Sequence, residues 1–123
     1  MKVLKENDIS SFDVDGTLVV WPKDPNKEKF GTIEFDYGNE KVYLYPHLPH
    51  IRFLKNCKLR GDYIEVWSKN NYAWAEQVIR KLKLEEYVDL VRSKPVRHID
   101  DKQSLEEIVG GRIFMPYNPE GEK

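Results

Sequence analysis

The sequence has a single cysteine, Cys57, so it can form neither an internal disulfide nor a cysteine-ligated zinc cluster. No apolar run approaches the ~18–20 residues that a membrane-spanning helix needs. The opening residues, Met1-Lys2-Val3-Leu4-Lys5-Glu6, lack the apolar stretch of a secretory signal. Neither sign of charge dominates: 20 Lys plus Arg against 21 Asp plus Glu leave a net charge of −1. That balance provides no overall basic footprint for nucleic acid, although a local patch remains open. Repeats and low-complexity stretches are missing too. Together these absences predict a cytoplasmic protein with no membrane partner. What is present is 123 residues, 40% hydrophobic and 12% aromatic, enough bulky material for the core of one domain over 1–123.

The first strand signal is Ile9-Ser10-Ser11-Phe12-Asp13-Val14. Leu18-Val19-Val20-Trp21 then leads into a charged, proline-marked loop. Thr32 to Tyr37 and Lys41 to Tyr45 flank Gly38-Asn39, which predicts a β-hairpin because Gly and Asn accept the positive φ of tight turns. This hairpin is expected as a flap over about 31–46. From Pro49 the period becomes helical, with Ile51, Phe53, Leu54, Cys57 and Lys58 in a helix that Gly61 stops. Tyr63 to Trp67 is a second strand ending at Ser68. Asn70 or Asn71 caps a helix with Trp74, Val78 and Leu82 on one face. A short apolar segment follows at Tyr87 to Val91, then a strand Val96-Arg97-His98-Ile99 running into Asp100-Asp101. Ser104-Leu105-Glu106-Glu107 is a capping box for a helix that Gly110 ends, Arg112 to Met115 is a last strand, and 116–123 is expected as a frayed tail. Strands alternating with helices predict an α/β fold, a three-layer Rossmann-like sandwich around a mainly parallel sheet of about five strands.

In such sheets the chemistry lies beyond the carboxyl ends of the strands. Three predicted ends carry reactive groups: Asp13-Val14-Asp15-Gly16-Thr17, Ser68 and Asp100-Asp101. Four carboxylates on one rim repel one another unless a cation lies among them. Hard oxygen ligands without cysteine or a suitably spaced histidine favour Mg²⁺, which keeps waters and borrows a substrate phosphate oxygen. A dication ringed by carboxylates beside a hydroxyl suits phosphoryl transfer.

The segment Phe12-Asp13-Val14-Asp15-Gly16-Thr17-Leu18 resembles the first motif of the haloacid dehalogenase-like phosphohydrolases, Asp-x-Asp-Gly-Thr after an apolar strand. Val66-Trp67-Ser68 is similar to the second motif, and Ser93-Lys94-Pro95 and Ile99-Asp100-Asp101 resemble the third and fourth, in the right order. The resemblance implies Asp13 as a nucleophile that forms an aspartyl-phosphate and Asp15 as general acid, then general base. It implies a Mg²⁺ site built from the Asp13 carboxylate, the Asp15 backbone carbonyl and the Asp100-Asp101 pair, with Asp101 favoured as the direct ligand of the two. Ser68 and a lysine would bind the phosphoryl group, with Gly16 and Thr17 forming the phosphate-binding turn.

Lys94 is the favoured lysine, but only four residues separate Pro95 from Asp100, where a parallel crossover normally needs about a dozen. Either the preceding strand is short, so that Lys94 turns up to the rim, or Lys69 or Lys102 replaces it. Other readings of single residues stand beside these. Ser68 alone would more often cap the next helix, and Asp100-Asp101 alone could be a helix-entry pair. His47, His50 and His98 have no metal spacing and read as surface or structural residues. Trp67 and Trp74 read as core, while Trp21, Tyr43 and Tyr45 are candidates for the mouth of the site.

Family members often carry a cap domain, for which this sequence has no room. An open, capless site suits a bulky phosphorylated substrate such as a nucleotide or a nucleic-acid 3′-phosphate. The alternatives are a sugar or sugar-acid phosphate covered by an oligomeric neighbour, or a non-catalytic binding module of the same fold.

Overall fold

The computed structural model describes residues 8–23, 31–95, 97, 99 and 101. Their elements run in the order β1 (Ile9–Asp13), β2 (Val19–Val20), β3 (Ile33–Tyr37), β4 (Glu40–Pro46), α1 (Leu48–Arg60), β5 (Tyr63–Ser68), α2 (Tyr72–Lys81) and β6 (Leu90–Ser93). The fold is α/β. A three-stranded parallel sheet has the order β1-β5-β6, and a small antiparallel sheet has the order β2-β4-β3.

Local chemistry accounts for the element ends. Gly38 opens the two-residue β3–β4 turn at φ 65°, while Asn39 stays at negative φ, the II′ pattern that suits strand twist. Helix α1 begins with Pro49 in its first turn and is capped by His47, whose ring accepts from the His50 N–H at 3.3 Å. It stops at Gly61, which at φ 108° donates its N–H back to Lys58, while the Asp62 N–H reaches Cys57. Helix α2 starts at Asn71, whose side chain accepts from the Trp74 N–H at 2.8 Å.

One apolar cluster joins both sheets and both helices. Phe12, Ile64 and Val66 of the parallel sheet pack with Leu54 and Cys57 of α1, Trp74, Ala75 and Val78 of α2, and Phe35 and Leu44 of the hairpin. Phe12 meets Phe53 of α1 edge to face, with ring centroids 6.1 Å apart. The opposite face of the parallel sheet is mixed, with Ile9, Tyr63 and Leu90 exposed on it beside polar groups. There Ser11 donates to Glu65 at 2.6 Å, Arg92 pairs with Glu65, and the Arg92 guanidinium lies 5.0 Å from the Trp67 ring centroid.

Two expectations change. The parallel sheet has three strands among the described residues, against an expected total of about five, and no helix among them covers its outer face. The third parallel strand, expected in the apolar segment Tyr87 to Val91, is Leu90–Ser93; of the next expected strand, Val96 to Ile99, Arg97 and Ile99 are outside any strand, and Ile99 is 93% exposed. Asp100, the helix from Ser104, the strand at 112–115 and the tail at 116–123 lie outside the described residues. No described helix is long and apolar enough to cross a membrane.

Candidate active site

The parallel register sets the rim. Asp13 closes β1 opposite Trp67, and Ser68 closes β5 opposite Ser93, so the carboxyl ends of all three strands come level. Lys94 follows directly. Its N–H donates to the Ser68 carbonyl at 2.8 Å, and its ammonium lies 3.7 Å from Asp13 Oδ1. The short third strand is what brings Lys94 to this end of the sheet. Both side chains remain partly open to solvent, 31% for Lys94 and 38% for Asp13, so the pair is reachable. Lys69 is exposed, and Lys102 lies outside the described residues.

After Asp13 the chain wraps around a single carbonyl. Val14 O accepts from the N–H groups of Thr17, Leu18 and Val19 at 3.1, 2.8 and 3.2 Å, and Val14 and Leu18 are fully buried. Gly16 takes φ 80° in this turn and donates to Val19 O at 2.8 Å. No atom would come within 4 Å of a Cβ at Gly16, so backbone conformation, not crowding, selects glycine there. The turn is held from outside by the start of α1: the N-cap His47 N–H donates to Leu18 O at 2.9 Å, and the His50 ring Nδ1 lies 2.6 Å from Thr17 O. His47 and His50 are both buried, their rings stacked at 3.6 Å, so they anchor the turn as structural residues.

Asp15 is the most tightly held acid of the rim. Trp21 Nε1–H and Trp74 Nε1–H donate to its Oδ1 at 3.0 and 3.2 Å, and the Asn70 side-chain amide donates to its Oδ2 at 2.9 Å. Three neutral donors therefore occupy most of its roughly four acceptor directions, and Oδ2 keeps the free one. Trp21 and Trp74 pack with Tyr37, whose ring is edge to face with both, at 5.2 and 5.3 Å. Tyr43 and Tyr45, expected near the mouth, lie in β4 opposite Glu34 and Val20.

Ser68 is fully buried and is not the helix cap, a role that Asn71 takes. Its Oγ accepts from the Asn70 N–H at 3.0 Å, which leaves the hydroxyl proton for donation. Asn70 thus fixes Ser68 through its backbone and Asp15 through its side chain. Sequence reasoning placed Trp21 near the mouth of the site but missed Asn70 and Trp74 as partners of Asp15. The available signal was that a tryptophan ring buried in a core still needs an acceptor for its N–H.

Asp13, Asp15, Gly16, Thr17, Ser68 and Lys94 are brought to one rim. Asp101 is exposed, and it does not join Asp13 and Asp15: among the described residues no group of three or more His, Cys, Asp or Glu is close enough to hold a metal. The donors on the rim still fit Mg²⁺. The Asp13 carboxylate and the Asp15 carbonyl are hard oxygens, and Mg²⁺ takes one or two such protein ligands with waters and a phosphate oxygen. The Asp15 side chain does not belong to that set, because its oxygens serve the indoles and Asn70. No protein-family model, curated protein or solved structure matches this chain.

Proposed function

We propose that this chain is a Mg²⁺-dependent phosphomonoesterase working through an aspartyl-phosphate at Asp13. The observation that carries the proposal is the Lys94 ammonium 3.7 Å from Asp13 Oδ1, at the same sheet end as Ser68 and Asp15. The resemblance of the four ordered motifs supports it.

In the first step an Asp13 oxygen forms a bond to phosphorus while the bond to the leaving oxygen breaks. Asp15, carrying its proton on Oδ2, donates that proton to the leaving oxygen. In the second step Asp15 takes a proton from water, which attacks phosphorus and releases Asp13 and phosphate. Lys94 and the Ser68 hydroxyl neutralise and orient the phosphoryl oxygens. Mg²⁺ would be held by the Asp13 carboxylate and the Asp15 carbonyl and would supply charge neutralisation at the phosphoryl group. The proposal includes a parallel sheet extended to about five strands and a cytoplasmic location.

The deciding experiment is hydrolysis of p-nitrophenyl phosphate with Mg²⁺ by the parent and by Asp13→Asn. Turnover by the parent and its loss in the variant support the proposal; turnover surviving in the variant removes Asp13 as nucleophile. The second reading, a non-catalytic module of the same fold, draws on the three donors already engaged by Asp15. It predicts no turnover of any phosphomonoester by the parent, with Mg²⁺ binding retained.

A further inference from the structure

The carboxyl-end row of the parallel sheet holds more than the Asp13–Lys94 pair. Asp13 of β1, Trp67 of β5 and Arg92 of β6 are register partners across the three strands. Phe12 and Val66 turn into the core and Val91 packs against it, so the two-residue period of a strand puts Asp13, Trp67 and Arg92 on the outer face. Lys94, two residues beyond Arg92, joins the row: its ammonium lies 3.7 Å from Asp13 Oδ1 and 5.8 Å from the Trp67 ring centroid. The Arg92 guanidinium lies 5.0 Å from that same centroid. One indole thus links the cation beside the nucleophile to a second cation.

Arg92 is fixed in place from below. Glu65 is a buried carboxylate whose Oε1 accepts from the Ser11 hydroxyl at 2.6 Å and whose Oε2 pairs with Arg92 Nε. Among the described residues no acceptor is hydrogen-bonded to the two Nη groups of Arg92, and its side chain is 46% exposed. The ordering cost of a long side chain is therefore met by Glu65 and Trp67 before any ligand arrives. What stays open is a planar fork of N–H donors, which matches two oxygens of a phosphate.

The reaction at Asp13 leaves this fork without a task. Lys94 and Ser68 serve the transferring phosphoryl group, and the backbones of Asp13 and Arg92 are two strand spacings apart, about 10 Å. That separation suits two anionic groups on one substrate better than one group shared by both cations. A sugar or nucleoside with a phosphate at each end covers such a distance.

We propose that Arg92 anchors a second phosphate of the substrate, so that the site prefers a bisphosphorylated sugar or nucleoside to the corresponding monophosphate. The proposal rests on the phosphomonoesterase reading, whose Asp13–Lys94 pair it extends.

The test measures kcat/KM of the full chain with Mg²⁺ on two pairs: fructose 1,6-bisphosphate against fructose 6-phosphate, and adenosine 3′,5′-bisphosphate against adenosine 3′-monophosphate. The expected preference for the bisphosphate is about tenfold or more in at least one pair, and that pair identifies the scaffold. The gain should appear chiefly in KM, because the anchor is remote from the reacting atoms. Arg92→Gln is expected to bring the ratio to within about twofold of one. An arginine that only braced the sheet would lower both rates of a pair and leave their ratio. Arg92→Lys keeps a cation for Glu65 and is read in its place if Arg92→Gln does not fold; without the fork it should lose most of the preference. A preference under about tenfold in both pairs, or one that survives these substitutions, overturns the anchor and leaves the phosphatase reading standing. If none of the four compounds is hydrolysed, p-nitrophenyl phosphate decides the phosphatase reading by itself, and calorimetry with the two bisphosphates decides the anchor. Binding that weakens about tenfold or more in the Arg92 variant supports it. No binding to the parent, or equal Kd values for parent and variant, overturns it.

Discussion

The Lys94 ammonium lies 3.7 Å from Asp13 Oδ1, two side chains that are far apart in sequence and two strands apart in the sheet. A cation here lowers the cost of bringing a dianionic phosphoryl group to a carboxylate nucleophile. Lys94→Ala is expected to reduce kcat/KM on p-nitrophenyl phosphate by about a hundredfold or more, the scale seen when one charge-stabilising group is removed. Lys69→Ala, by contrast, should stay within about twofold, since Lys69 is exposed and an exposed charge contributes little. Equal losses in the two variants would remove Lys94 from its role.

The donors around Asp15 lead to a different kind of prediction. Trp21→Phe removes one N–H from Asp15 but keeps an aromatic ring against Tyr37, and Asn70→Ala removes the amide but keeps the backbone N–H that serves Ser68. A neutral hydrogen bond contributes about 1 kcal/mol, so each variant should fold normally and lose activity by about five- to tenfold. The loss should be larger for an alkyl phosphate than for p-nitrophenyl phosphate, because a poor leaving group depends more on a correctly aimed acid. Equal losses on both substrates would show that these residues do not act through Asp15.

Residues that act on their neighbours in sequence were legible without a structure. Gly38, Gly61 and Asn71 terminate elements at the positions their backbone preferences require. The third parallel strand was legible as a short apolar segment at Tyr87 to Val91 but its bounds were not, because β6 is only four residues long, Leu90–Ser93, and turns Arg92 to meet Glu65. Its stability comes from pairing with β5, which no local hydrophobic pattern records. The reach of Lys94 to Asp13 follows from that strand and was legible only as one of two alternatives. The donor set of Asp15 depends on the hairpin folding Trp21 against Trp74, a tertiary arrangement; in sequence Trp74 reads as core and Trp21 only as a candidate for the mouth of the site.

Gly16 is predicted to tolerate no side chain cheaply. At φ 80° an L-residue crowds its own backbone, and Gly16→Ala should destabilise the protein by about 1–2 kcal/mol even though open space surrounds the site. Because the turn carries Thr17 and aims Asp15, activity should fall together with stability. Urea denaturation of the variant checks the first effect; a midpoint unchanged from the parent would show that the turn relaxes to negative φ.

Asp89 makes an acid-sensitive joint between α1 and β5. Its Oδ2 accepts from the Ile64 N–H at 2.8 Å, its own N–H donates to Ile64 O at 2.8 Å, and Lys58 of α1 reaches its carboxylate at 2.8 and 2.9 Å. Burial pushes the Asp89 carboxyl upward, but the Ile64 N–H and the Lys58 ammonium outweigh burial and hold it below its ordinary value of 3.8. A carboxyl depressed in the folded state stabilises the protein fully above its unfolded value, and that contribution is lost as pH falls through the folded one. Stability should therefore hold from neutral pH down to about pH 5 and then decline through the region below 3.8. Asp36 and Asp62 are also depressed, by Lys41 and Arg60, so the parent curve alone does not isolate Asp89. Asp89→Asn should lower stability at neutral pH and flatten the acid limb relative to the parent, as read from urea midpoints across that range. Acid limbs of equal slope in parent and variant would show that Asp89 contributes no pH-dependent stability.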